Sequence, residues 1–293
     1  MSVGKRDSHT GQMTTGHEWN GIEELNTPVP RPVYIFLILT FSFSLIYWLL
    51  MPAWPLGVTY TKGLLGVSQH SLIDADLKQA VAQKAAWTEK ITDMSFADIQ
   101  ADAALMHVVR ETAGPLFADN CAACHGATAQ GGPGYPDLAS GAWLWGGTPD
   151  AIMETLRVGV NSPHDDTRMS QMMAFGRDGL LTRDQILNVV TYVQSFSDPS
   201  LATGPEASAV AAGREVFAQN CVSCHGETGT GNTELGAPNL TDSVWLYGGD
   251  RQSIFTTVYG GREGHMPTWE KRLSEVDRKM LTLYVLSLGE KKP

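Results

Sequence analysis

Positive charge is in short supply in this chain of 293 residues: 21 lysines and arginines stand against 31 aspartates and glutamates, a formal net charge of −10. The electrostatic requirement for gripping a phosphate backbone is missing, which excludes a DNA- or RNA-binding protein. The signs of disorder are missing too, since 43% of residues are hydrophobic and 18% charged. Cysteine is scarce. There are four, and all fall in two short segments, NCAACHG (120–126) and NCVSCHG (220–226).

Long apolar runs are absent with one exception. VYIFLILTFSFSLIYWLLM, residues 33–51, holds no charge and as a helix matches the ~30 Å hydrocarbon core of a bilayer. Pro32 and Pro52 bracket it, and Tyr34, Trp48 and Trp54 lie near its ends, where aromatic rings favour the interface. A secretory signal is shorter and closer to the start, so the run is expected to be a single membrane anchor, preceded by an N-terminal segment, 1–32. Lys5, Arg6 and Arg31 precede the anchor and only Lys62 follows within twenty residues. That count favours a cytoplasmic N-terminus. From residue 52 onward 18 basic residues face 27 acidic ones.

After the anchor, residues 52–110 are expected to form a linker with two helices, one over about 72–90 and one opening at Ser95-x-x-Asp98 and running toward Arg110. The rest is a repeat. LFADNCAACHG (116–126) matches VFAQNCVSCHG (216–226), PDL (136–138) matches PNL (238–240), WLWGG (143–147) matches WLYGG (245–249), and LTRDQILNVVTYV (181–193) aligns with LSEVDRKMLTLYV (273–285). Shared landmarks in one order mean two copies of one domain, 111–197 and 209–293, joined by the Pro- and Gly-bearing linker 198–208. Neither copy shows the alternation of a strand. Closing helices are expected after the caps Thr182-x-x-Gln185 and Ser274-x-x-Asp277, with apolar stripes Ile186, Val189, Val190, Val193 and Val276, Met280, Leu283, Tyr284. The fold class is mainly α: one N-terminal transmembrane helix and two tandem helical domains whose cores are small for their length.

C-x-x-C-H is the attachment signature of c-type haem. One helical turn presents two thiols to one edge of a porphyrin, and the adjacent histidine reaches the iron. A zinc site needs four ligands and would draw both cysteine pairs to one metal. A redox dithiol needs a βαβ context that is lacking here, and a disulfide gives no reason for a histidine twice in the same place. Two covalent haems are therefore expected, on Cys121 and Cys124 with His125, and on Cys221 and Cys224 with His225. A methionine opposite the histidine would close each iron and raise its potential. Met266, in GHMPTW, is the choice in the second copy, while Met280 belongs to the closing helix. In SQMMAFG the choice is Met172, with Met173 and Met169 behind it; Met153 is the remaining methionine of that copy. His164 and His265 are rival ligands. Pro136 and Pro238 are placed to direct a backbone carbonyl at the Nδ1–H of His125 and His225. The glycine-rich GGPG (131–134) and GTGN (229–232) follow no strand, and are read as wrapping the haem edge rather than a phosphate. An acidic outer surface would steer a basic redox partner.

These residues resemble the dihaem subunit of cbb3-type cytochrome c oxidase, the CcoP or FixP family, over nearly the whole chain. The likeness lies in TTGHEWNGIEELNTPVPR (14–31), PAWP (52–55), GLLG (63–66), both haem motifs, SQMMAFG and HMPTW, in that order. It implies two tandem cytochrome c domains on the periplasmic face of a bacterial inner membrane. Electrons would enter from a periplasmic or membrane-anchored cytochrome c donor, with a cytochrome bc1 complex as a further neighbour. They would leave through a monohaem cytochrome c subunit for a haem–copper subunit that reduces oxygen and pumps protons. The resemblance also implies that the methionine ligands, Met172 and Met266, are exchanged, each serving the other copy's haem; the spacing does not separate that arrangement from local pairing. Met173 stands where the family tends to have proline, and His70 where a basic residue is usual. A free-standing membrane-anchored dihaem carrier and a dihaem peroxidase are the competing readings, with a haem-based gas sensor behind them. No catalysis is expected of this chain alone.

Overall fold

A computed structural model describes residues 4–289 of the chain, which divides after Gln83 into two compact units. The first unit opens with a hairpin of β1 (Thr14–Trp19) and β2 (Ile22–Leu25). Its turn is Asn20-Gly21, both at positive φ (49° and 86°), the pairing a tight hairpin favours.

Helix α1 (Arg31–Leu50) follows. It starts two residues before the expected span because proline is tolerated in a helix's first turn. No residue of α1 is buried, and two of its hydroxyls are satisfied by its own backbone: Thr40 Oγ1 donates to the Phe36 carbonyl and Ser44 Oγ to that of Thr40, both at 2.9 Å. A helix apolar all round, with hydroxyls bonded to its own backbone, suits a lipid surround. The chain then folds back so that Leu64 and Leu65 N–H donate to the carbonyls of Leu49 and Leu50.

Helix α2 (Gln69–Asp93) is longer than the pattern predicts. The next helix is split. α3 (Phe96–Ala101), capped by Ser95 as expected, stops where Asp102 turns extended (φ −90°, ψ 103°). The Asp102 carboxylate accepts from Ala104 and Leu105 N–H and so opens α4 (Ala103–Asn120). Asp102 thus ends one helix and caps the next, a local choice hidden by the continuous polar pattern.

Within the second unit come α5 (Ala122–His125), α6 (Pro149–Val158), α7 (Arg183–Gln194), a 3₁₀ turn (Pro199–Ala202), α8 (Ala207–Asn220), α9 (Val222–His225), α10 (Arg251–Gly260) and α11 (Glu275–Gly289). The Thr182–Gln185 capping box forms as expected. Met280 is buried in α11, as its place in the stripe predicts.

The apolar clusters do not follow the two copies. One joins Val109 and Phe117 of α4 and Ile152 and Leu156 of α6 to Met280, Leu281 and Leu283 of α11. The other joins Ile186, Val189 and Val190 of α7 to Val216 and Phe217 of α8 and Ile254 and Val258 of α10. Each cluster draws its opening helices from one copy and its closing helix from the other. The short 195–206 connection makes α7 and α8 natural neighbours, and Gly213 lets them close: a Cβ there would collide with the Asn188 carbonyl. α11 is left to pack back on α4, where Tyr284 meets Phe117 with ring centroids 5.7 Å apart.

Candidate metal centres

Each C-x-x-C-H unit is a single helical turn set on the end of a long helix. α4 closes at Cys121, whose N–H donates to the Phe117 carbonyl, and His125 N–H then donates to the Cys121 carbonyl at 2.9 Å. Gly126, at φ 78°, ends the turn. α8, Cys221, α9 and Gly226 repeat this arrangement.

The histidines are oriented as the prolines predict. His125 Nδ1 lies 3.1 Å from the Pro136 carbonyl oxygen, and His225 Nδ1 lies 3.0 Å from that of Pro238. A carbonyl only accepts, so Nδ1 carries the hydrogen and Nε2 keeps a free lone pair. Burial lowers both imidazole pKa values, partly offset by that hydrogen bond, so the neutral, ligand-competent ring is the favoured form. The loop that brings each carbonyl round needs a glycine. Gly131 (φ 68°) and Gly231 (φ 82°) sit so close to the returning chain that a Cβ would strike the Tyr135 or Ala237 carbonyl.

The thiols are unpaired. Burial, with the neighbouring cysteine second, pushes Cys121 and Cys221 up to about 11, the opposite of an activated redox thiolate. No group of three or more His, Cys, Asp or Glu side chains that could hold a metal ion occurs among the described residues.

The methionines sort by burial and neighbourhood. Met266 packs against the same buried cluster as Cys121, Leu138 and Trp143. Met172 packs against the same buried cluster as Cys221, Leu240 and Trp245. Met169 and Met173 are exposed, at 73% and 55%. Of the rival histidines, His265 is exposed, and His164 has both ring nitrogens engaged. Its Nδ1 accepts from Asp166 N–H at 2.9 Å, and its Nε2 lies 3.0 Å from a Glu270 carboxylate oxygen.

The methionine loops are interlocked. Met172 and Arg262 exchange both backbone hydrogen bonds (2.8 and 3.0 Å), and so do Val160 and Met266 (2.9 Å each). Gly159 (φ 72°) and Gly261 (φ 70°), which end α6 and α10, lie against the backbones of Met266 and Met172; a Cβ on either would hit the methionine carbonyl. The aromatic pair is exchanged as well: Trp145 lies on Gly236, and Tyr247 lies on Gly134. Arg168 stacks over Trp145, and Arg262 over Tyr247 at 4.2 Å.

A cavity of about 310 Å³ opens between the two sites, lined by Pro136, Trp143 and Leu144 from one copy and Pro238, Trp245 and Leu246 from the other. The prolines that orient the two histidines therefore share one space. Two sulfurs, an imidazole with a free Nε2 and a thioether packed on the same cluster make a donor set suited to haem c at each site.

Residues 11–58 match the family described as the N-terminal domain of cytochrome oxidase-cbb3, FixP. Residues 113–197 match cytochrome c, and residues 208–285 match cytochrome c oxidase, cbb3-type, subunit III. The cbb3-type cytochrome c oxidase subunit FixP of Bradyrhizobium diazoefficiens is 44% identical over 283 residues, 97% of each chain. The CcoP subunit of Azospirillum sp. (strain B510) is 43% identical over 298 residues, 99% of each chain. The FixP subunit of Rhizobium meliloti is 39% identical over 285 residues, covering 97% and 96%.

Proposed function

We propose that this chain, which belongs to the CcoP/FixP family of cbb3-type cytochrome c oxidase subunits, passes electrons through two haem groups ligated crosswise. Membership makes it an electron-transfer cytochrome c subunit of that oxidase, and its two cytochrome c domains with paired cysteine motifs imply two c-type haems. A haem c in each site supplies a one-electron iron couple.

The chain's own residues do the rest. Cys121 and Cys124 anchor the first group and Cys221 and Cys224 the second, while His125 and His225 offer Nε2 to iron. Pro136 and Pro238 carbonyls hold the imidazole rings and add electron density to them. Met266 would join His125 in holding the first group, and Met172 would join His225 in holding the second. The observation that carries this reading is that each methionine packs against the same apolar cluster as the other copy's first cysteine. A soft thioether ligand favours ferrous iron and keeps small molecules off it, which suits a relay rather than a peroxidase or a sensor.

In this reading the N-terminus is cytoplasmic, α1 spans the inner membrane and the haem-bearing unit is periplasmic. The donor is a periplasmic or membrane-anchored cytochrome c, and the cytochrome bc1 complex is a further neighbour. The acceptors are the monohaem cytochrome c subunit and, beyond it, the haem–copper subunit.

Met266→Leu and Met172→Leu test the ligation, read by proton NMR of the reduced protein. There a bound methionine methyl is shifted far upfield and shows contacts to its own crevice. Crosswise ligation expects Met266→Leu to remove the methyl signal that contacts Leu138 and Trp143. Loss of the signal contacting Leu240 and Trp245 would establish local pairing instead.

A further inference from the structure

The repeat breaks its symmetry at one place. Between the glycine that ends the middle helix and the methionine, the first copy carries eight more residues than the second. This insertion reaches from the first copy onto the Met266 loop of the second. Asn161, in the left-handed region (φ 48°), donates from Nδ2 to the carbonyls of both Ser170 and Gly264, each at 2.7 Å. His164 Nε2 bonds Glu270 at 3.0 Å.

Arg157, on α6, gathers the remaining charges. Its guanidinium donates to Glu154 (2.8 Å), Asp166 (2.9 Å) and Glu270 (3.2 Å), and its carbonyl accepts from Thr268 Oγ1. Hydrogen bonds from His164 and Arg157 hold the Glu270 carboxyl below the usual carboxylate range. Isolated surface ion pairs contribute little. This set differs because the His164 side chain is only 13% exposed and that of Arg157 30%, and the members share partners.

The Met172 loop has no counterpart. In the repeat register Tyr259 stands where Arg157 does, and Gly176 where Glu270 does. There the loop is tied by main-chain bonds, Phe175 N–H to the Val258 carbonyl and Gly176 N–H to that of Tyr259.

Building on the crosswise reading, we propose that Arg157, His164 and Glu270, with the eight-residue insertion, form a strap that holds the Met266 sulfur on its iron. The two methionines are then held unequally, and Met172 is the more readily displaced. Arg157 and Glu270 are positioning residues: they act on the ligand through its loop and do not touch the reacting atoms.

The test uses the full-length, haem-loaded protein with Arg157→Gln, Glu270→Gln and Arg157→Lys, and follows carbon monoxide binding to each reduced haem. Arg157→Gln is expected to raise carbon monoxide reactivity at the haem of His125 about tenfold, a loss of ~1.4 kcal/mol in sulfur retention, with the other haem unchanged. Glu270→Gln follows in the same direction, and Arg157→Lys recovers part of the effect. Arg251→Gln, which breaks the exposed 3.3 Å pair with Glu206, moves neither haem. Equal opening of both haems would reduce Arg157 to a general stabiliser and overturn the strap; so would no change at either. Met266→Leu, run in parallel, separates the two ideas. If it fails to open the haem of His125, the ligand assignment is at fault rather than the strap.

Discussion

Replacing Gly159 by alanine presses on one methionine loop without touching either methionine. Gly159 sits at φ 72° and ψ −169°, a region essentially reserved for glycine, and a side chain there costs on the order of 1–3 kcal/mol in backbone strain alone. The new Cβ would also meet the Met266 carbonyl and Pro267, so the strain is relieved by moving that loop. At 1.4 kcal/mol per decade, the share of iron without its sulfur should rise roughly 5- to 150-fold. Carbon monoxide binding to the reduced protein reads this share directly, and NMR contacts to Leu138 and Trp143, or to Leu240 and Trp245, tell which haem has opened. Gly159→Ala is expected to open the haem of His125. Gly261→Ala, at φ 70° against the Met172 carbonyl, is expected to open that of His225. If Gly159→Ala opens the haem of His225, the crosswise argument is wrong; if neither haem responds, the glycine contact does not govern the sulfur.

Four further outcomes are expected. Gly131→Ala, which displaces the loop carrying the Pro136 carbonyl, weakens the His125 hydrogen bond and should raise the first haem's potential by a few tens of millivolts in a redox titration; an unchanged potential would mean the bond does not tune the iron. Donor oxidation should slow as ionic strength rises, because an acidic surface steers a basic cytochrome, and a flat salt response would remove steering. Glu154, Asp166 and Glu270 all have depressed pKa values through their hydrogen bonds to Arg157 and His164. Their contribution is therefore present above the ordinary carboxylate range and lost as pH falls below it, so acid should loosen the Met266 sulfur first, and Glu270→Gln should blunt that dependence. Gentle extraction from the native membrane should bring b-type haem and cytochrome c-driven oxygen uptake along with this chain, whereas a c-type protein emerging alone and inert would refute the proposed partners.

The chemistry of the site was legible because it is local. Two thiols and a histidine within one helical turn specify their own geometry, and a proline in the loop that follows, 11 residues on in the first copy and 13 in the second, supplies the orienting carbonyl. The apolar stripe of α7 and the caps at Ser95 and Thr182 were readable for the same reason. What escaped were relations between distant segments. The stripe on α7 says that a face is buried but not that its partner is Phe217 of the next copy, and Gly213 looks like any helix glycine until Asn188 lies against it. Asp102 both ends and starts a helix, a dual role that a run of favourable helix residues conceals. The hairpin was missed despite its signal, Asn20-Gly21, because the polar strands around it alternate weakly. The strap was invisible for another reason: Arg157 and Glu270 are 113 positions apart, and only the folded chain brings them together.

The exchange of closing helices also sets an order of completion as the chain emerges from its N-terminus. The crevice around Cys221 finds Met172 and α7 already made, and lacks only the segments that follow at once, the Pro238 loop with Leu240 and Trp245 and then α10. The crevice around Cys121 appears first but is finished last, since Met266 and α11 are the final pieces of the described chain. In the crosswise reading proposed above, a haem attached early at Cys121 and Cys124 would lack its methionine until the Met266 loop and the C-terminal helix are in place. On that reading, maturation of the earlier site would depend on the last-made residues, and a lesion near the C-terminus should be read at the haem nearest the membrane anchor in sequence.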